Sequence, residues 1–91
     1  MEKKKEKIKH PRRVRGYRGS HRQLAHNVAI MAFDEVAKFT EYFAADIKQQ
    51  AKIDLISGKK KLSKDLLTAA EYLRKAQIKL ESAWKTCEQY M

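Results

Sequence analysis

Several residue types that organise small proteins are scarce in this chain of 91 residues. One cysteine, Cys87, excludes an internal disulfide, and one Cys with three scattered His gives no zinc-ligand spacing. Proline occurs once and glycine three times, so sharp turns are few. No apolar run is long enough to span a bilayer. These absences exclude disulfide-stapled, metal-centred and membrane-spanning classes.

Catalytic patterns are also missing. The sequence has no Gly-rich phosphate loop and no nucleophile elbow. Its carboxylates Asp34, Glu35, Glu41, Asp46 and Asp54 lie in one predicted helix without a paired nucleophile or base. We therefore expect no enzyme, no cofactor, no metal and no small-molecule substrate.

Positive charge is abundant and concentrated at one end. Residues 1–23 hold ten Lys and Arg against two Glu, net +8 of the formal +10, whereas residues 24–91 carry only +2. Such a block does not collapse on itself and binds polyanions by releasing their counterions. We expect residues 1–19 to form a flexible arm that binds nucleic acid, with Tyr17 available to stack on a base. The candidate contacts in and beside this arm are Lys3, Lys4, Lys5, Lys7, Lys9, Arg12, Arg13, Arg15, Tyr17, Arg18 and Arg22.

The remainder, residues 20–91, is predicted to be a helical body. Ser20 and Gln23 match a capping box at the start of a helix, and Gly58 suits its end. Between them apolar residues recur at steps of three and four, which predicts one helix over about 20–56. Ser63 is expected to restart a helix over about 63–90. Its apolar seam repeats every seven residues and includes Leu66, Leu73 and Leu80.

The segment between the helices is basic. Lys59, Lys60 and Lys61 are predicted to form a short loop, either as a second phosphate-contact patch or as an exposed turn whose charges suit a helix C-terminus. Short connections favour antiparallel neighbours, so the fold class expected is all-α, with an αα-hairpin as the simplest arrangement.

The first predicted helix carries more apolar surface than one shorter partner covers. The 68 residues from Leu24 to Met91, without disulfide or metal, are only marginally stable alone. We therefore predict a homo- or hetero-oligomer, with a partner interface at Val36, Phe39, Phe43 and Ile47.

Two strings resemble the core-histone family. Residues 41–47, EYFAADI, followed by Ala51, resemble the middle of its long central helix, and residues 60–70, KKLSKDLLTAA, are similar to its second loop and third helix. The likeness spans about residues 32–73. It implies a histone fold with obligate dimerisation through the long helix and DNA contact by the arm and loop lysines.

The family has a short helix and a loop before the long helix, whereas here that place is taken by residues 11–20, which do not predict a helix. Its loop Arg is also missing, although Asp65 can match the Asp that holds it and Lys59, Lys60 or Lys61 can replace it.

These observations favour a non-catalytic, histone-like architectural protein that binds DNA phosphates, located in a nucleus or nucleoid. One alternative is a component of an RNA–protein particle, such as a small ribosomal protein, whose arm threads between RNA helices. The other is a helical protein-interaction module whose basic tail serves for targeting. Each of the three places the chain inside the cell, without a membrane partner.

Overall fold

The computed structural model describes residues 10–90, and in that range the chain is all-α, as predicted. Three helices follow one another, α1 (His21–Ala29), α2 (Phe33–Ile56) and α3 (Lys60–Glu88), without a strand between residues 10 and 90. The chain divides into two units, one ending at Ile30 and the other beginning at Met31. None of the three helices is long and apolar enough to cross a membrane.

α1 begins at the predicted cap. The Gln23 backbone N–H donates to the Ser20 hydroxyl oxygen at 3.1 Å, and the Ser20 N–H donates to Gln23 Oε1 at 3.0 Å. Two of the backbone donors that a helix start leaves free are thereby satisfied. The capping box predicted from the sequence is confirmed.

The single helix predicted over 20–56 is corrected to two helices. Ile30 ends α1 with its N–H donating to the His26 carbonyl oxygen at 3.1 Å, and Ala32 takes an extended conformation with ψ 143°. α2 then starts at Phe33, with Asp34 and Glu35 in its first turn, where the helix dipole favours negative charge. Neither Gly nor Pro marks this break. The spacing of apolar residues continues across it, which is why the sequence predicted one helix.

The end of α2 follows the prediction. Gly58 has φ +86°, a conformation that costs glycine little. Its N–H donates to the Leu55 carbonyl at 3.0 Å, and the Lys59 N–H donates to the Asp54 carbonyl at 2.8 Å. This pair of bonds is the Schellman arrangement, which satisfies two of the last carbonyls of α2.

α3 begins three residues earlier than predicted, and Ser63 does not cap it. The Ser63 hydroxyl instead donates to the Ala51 carbonyl oxygen of α2 at 2.7 Å, and Ser63 is only 2% exposed. A bond between side chain and backbone across two helices requires a close approach at this level. Because three residues separate the two helices, they pack as an antiparallel hairpin, which agrees with the expected αα-hairpin.

Small residues form the line of contact between the two helices. They recur at seven-residue spacing, as Ala37, Ala44 and Ala51 in α2 and as Ser63 and Ala70 in α3, with Gln77 next in the series. Aligned at Ser63 and Ala51, antiparallel helices place Ala44 level with Ala70 and Ala37 level with Gln77. Within residues 10–90 the buried apolar side chains are Val36 and four alanines, so the hairpin interior is thin.

The large apolar residues of the predicted stripes lie beside this line rather than on it. With about 3.6 residues per turn and opposite helix directions, those of both helices fall on the same side of the hairpin. We call this side the apolar flank. Its members are Val36, Phe39, Phe43 and Ile47 of α2 and Leu62, Leu66, Leu73, Leu80 and Trp84 of α3.

Candidate nucleic-acid interface

The arginines of the predicted arm that fall within the structure are exposed. Arg12, Arg13, Arg15 and Arg18 precede α1, and Arg22 lies in its first turn. Each guanidinium offers planar donors that match phosphate oxygens in a bidentate way. The predicted contacts Lys3, Lys4, Lys5, Lys7 and Lys9 lie outside the described residues.

The segment around Gly16, which the sequence predicts to be part of a flexible arm, forms a turn. The Tyr17 N–H donates to the Val14 carbonyl oxygen at 3.3 Å, and Gly16 has φ +76°. A positive φ at the third residue of a four-residue turn is the requirement of type II, which glycine meets without strain. The turn reverses the chain between Val14 and Tyr17, with Arg15 inside it and Arg18 directly after it, so this part of the arm has a defined local shape.

Tyr17 is half-buried and is held against the start of α1. Its hydroxyl oxygen accepts a hydrogen bond from Asn27 Nδ2 at 3.2 Å. A Cβ added to Gly19 would lie 2.7 Å from a Tyr17 ring carbon and 2.5 Å from Gln23 Oε1, so the ring lies close over the Gly19 backbone. The Tyr17 ring therefore packs against the arm backbone at Gly19, and its hydroxyl is hydrogen-bonded to Asn27 of α1.

The basic loop is largely absorbed into α3. Lys59 is the N-cap residue without a side-chain capping bond, and Lys60 and Lys61 form the first helical positions. All three are exposed. The predicted loop at 59–61 is thus corrected to a helix start, because the Schellman turn at Gly58 leaves the chain ready to begin α3 at once.

Cations gather where helix dipoles are positive. The first turns of α1 and α3 contain no acidic residue, whereas that of α2 contains Asp34 and Glu35. At α1 the cation is Arg22, and at α3 the cations are the three lysines. Free backbone N–H groups and the dipole already attract anions at a helix start, so adjacent cations strengthen the local positive potential. Both helix starts therefore have a locally positive potential.

The predicted partner interface lies on the apolar flank. Val36 is 9% exposed beside the contact line, and Ile47 is half-buried. Phe39 and Phe43 are 43% and 47% exposed, with ring centroids 6.2 Å apart and planes tilted by 56°. This is a favourable aromatic pair, of which nearly half still faces outward.

The opposite side of the hairpin has a different character. An open groove there is lined by charges of both signs, with Glu41 and Lys48 from α2 and Glu71, Arg74 and Lys75 from α3, around the apolar Ala44, Ala45, Leu67 and Ala70. The hairpin thus presents one side of large apolar residues and one groove of mixed charge.

Sequence reasoning missed two sets of contributors. Asn27 fixes Tyr17 from α1, and a contact between a turn and a helix ten residues away leaves no periodic signal. The seven-residue spacing in α3 predicts an inner seam, whereas the structure places the large members of that seam on the apolar flank. Comparison of the chain with protein-family models, curated proteins and solved structures gave no match.

Proposed function

We propose that this chain is a non-catalytic architectural protein that binds DNA through phosphate contacts, histone-like in outline. The observation that carries the proposal is the segregation of charge, net +8 in residues 1–23 against +2 in the rest. A cation block of this kind gains affinity from counterion release, without reading the sequence of bases.

The arrangement of the described cations supports this function. The arm arginines are exposed, and the turn at Gly16 together with the Tyr17–Asn27 bond orders their backbone before binding. Order that exists before binding lowers the entropy cost of association. Lys59, Lys60 and Lys61 supply a second cationic group at the start of α3.

The helix order also supports a histone-like outline. A short helix, a long helix and a further helix follow the basic arm, separated by short connections. The short α1 occupies the place that the family gives to its first helix. The connection between α1 and α2 spans only residues 30–32, so the outline and not the detailed geometry supports the proposal.

The arm can be tested by replacing Arg12, Arg13, Arg15 and Arg18 together with Gln. All four are exposed, so the helices should remain intact. Binding to duplex DNA should weaken for every sequence, and the slope of log affinity against log salt should shrink by about 0.9 for each phosphate that the variant no longer neutralises. Titrations at several salt concentrations, followed by fluorescence anisotropy, measure both quantities.

A matched control removes the same charge elsewhere. Lys38, Lys48, Lys52 and Lys64 are exposed on α2 and α3, and their replacement by Gln changes the net charge equally. Equal weakening in the two variants would mean that only total charge matters and would contradict a binding arm. Tighter binding to an RNA hairpin than to duplex DNA would favour the RNA–protein particle instead.

A further inference from the structure

Small and large side chains are separated across the α2–α3 hairpin. Its contact line is made of alanines, Ser63 and Gln77, and among the flank residues of α2 only Val36 is buried, whereas Phe39 and Phe43 remain about half exposed. Leu66, Leu73, Leu80 and Trp84 on the same flank are half-buried. A small domain gains most of its stability by burying large side chains, and this hairpin keeps them at its surface.

The flank has the dimensions of a stable protein interface. At about 1.5 Å per residue, the 24 residues of α2 span about 36 Å, and two helices side by side are about 20 Å wide. The outline of roughly 700 Å² is close to the ~800 Å² per partner of standard interfaces. One partner of similar shape therefore covers the flank completely.

The charge of the hairpin suits a copy of itself. Residues 24–91 have a net charge of only +2, and the members of the flank in α3, from Leu62 to Trp84, are all uncharged. On the α2 part, the half-buried Asp54 is placed toward the loop end. Two hairpins with loops at opposite ends keep the two copies of this carboxylate apart, and they also keep apart the two groups formed by Lys59, Lys60 and Lys61.

We propose that two copies of this chain associate through their apolar flanks as a four-helix bundle, with the α2–α3 loops at opposite ends. Each helix then packs against two neighbours, and the flank residues of both α2 and α3 form the common core. The inference rests on the proposed function only where it makes the dimer the form that binds DNA. The interface itself uses no residue of the arm.

Sedimentation of the full chain, after nuclease treatment, tests the association. At about 0.5 M salt, phosphate contacts are weak, so residual nucleic acid does not bridge chains. We expect the mass of two chains at micromolar concentration. A helical monomer at that concentration, or a polydisperse larger mass, would overturn the proposal.

Point variants locate the interface. Phe43→Glu on α2 and Leu80→Glu on α3 place a charge on the flank and should each give the mass of one chain. Ile78→Glu is the matched control, since Ile78 is 56% exposed on the other side of α3, and it should leave the dimer intact. Dissociation by Phe43→Glu but not by Leu80→Glu would restrict the contact to α2 and overturn the bundle.

Unfolding of a variant is separated from dissociation by measuring helicity at the same concentration. Loss of helicity that returns when the chain is concentrated supports coupled folding and association. Loss of helicity without recovery for Phe43→Glu is resolved by Phe43→Ala, which adds no charge and should raise the dissociation constant at least tenfold. Wild-type association for a folded Phe43→Ala would contradict the interface.

Cys87, the single cysteine, reports the orientation. It lies near the end of α3, and about 1.5 Å per residue puts it roughly 25 Å from the middle of the hairpin. Spin labels on Cys87 should be separated by about 40–50 Å in a bundle with opposite loops. A separation below about 20 Å would place the loops at the same end and contradict the orientation proposed. Failure of DNA binding and failure of dimerisation can be distinguished with the arm variants, which should lose DNA binding but still form the dimer.

Discussion

Gln77 is the position where polarity and packing conflict within α3. Its side chain is 8% exposed, and its Nε2 donates to Glu81 Oε2 at 3.0 Å. Its Oε1 is buried without a hydrogen-bond partner among residues 10–90. A buried acceptor left in this state costs about 1–3 kcal/mol, more than one partly exposed bond to a neighbouring side chain returns.

Replacing Gln77 with Met, which has a similar shape, should therefore raise the free energy of unfolding by about 1 kcal/mol. Urea denaturation followed by circular dichroism measures the change. Gln49→Met on the exposed side of α2 should shift the transition by less than about 0.5 kcal/mol. A less stable Gln77→Met protein would mean that Oε1 does find a hydrogen-bond donor in solution.

Residue-scale signals in the sequence were reliable where they were local. Ser20 with Gln23 and Gly58 act through backbone groups within a few positions, so residue type alone predicted both ends correctly. Ser63 satisfies the same local rule for a cap but bonds across to Ala51. That outcome depends on a helix twelve residues away, which no local pattern contains.

At the scale of elements, the junction of α2 and α3 combines structure with the proposed function. Lys59, Lys60 and Lys61 stand at the positive end of α3, where cations are unfavourable by a few tenths of a kcal/mol or more each. Their presence costs helix stability. A phosphate bound at this end removes the conflict, which is a reason to test them as a group.

Changing all three lysines to Ala should leave the hairpin as stable as before or slightly more stable, because the repulsion with the α3 dipole is relieved. DNA affinity should fall, with a salt slope reduced by about 0.9 for each phosphate left without its lysine. Thermal unfolding and salt titration of the same sample measure the two effects. Unchanged DNA affinity would contradict a phosphate contact at these lysines and would leave them only the role of an exposed helix start.

The sequence predicted the hairpin itself but not its internal arrangement. Apolar periodicity predicted which face of each helix is apolar, but it missed the break at Ile30. The only sequence feature that indicates a new helix start there is the acidic pair Asp34 and Glu35, which lies in the first turn of α2. Nor does periodicity divide an apolar side into a contact line and a flank. Alanines take the contact line because helices that approach closely have no room for Phe39 or Phe43 there.

At the scale of the whole molecule, positive charge and large apolar side chains are separated along the chain. The excess positive charge precedes residue 24, while the apolar flank lies in the unit that begins at Met31. A nearly neutral body can self-associate without the repulsion that ten positive charges spread over it would create. In a dimer, each assembly carries two arms, which allows bivalent attachment to one nucleic acid.

Self-association predicts that thermal stability depends on protein concentration. A tenfold increase adds about 1.4 kcal/mol to the stability of a dimer. For two copies of the unit Met31–Met91, about 120 residues together, this raises the unfolding midpoint by roughly 5 °C. Calorimetry over a hundredfold range of concentration measures the shift. Phe43→Glu should unfold at a midpoint that is independent of concentration, and a concentration-independent wild type would contradict association.

The seven-residue series of small side chains also restricts how this protein can diverge. At positions 37, 44, 51, 63 and 70 only the smallest residues fit between two helices whose backbones approach so closely. Flank positions need only a large apolar residue, and arm positions need only a cation. Relatives that have lost all overall likeness should therefore still share a sparse ladder of Ala, Ser or Gly, and that ladder is a better means of tracing ancestry than the conspicuous basic arm.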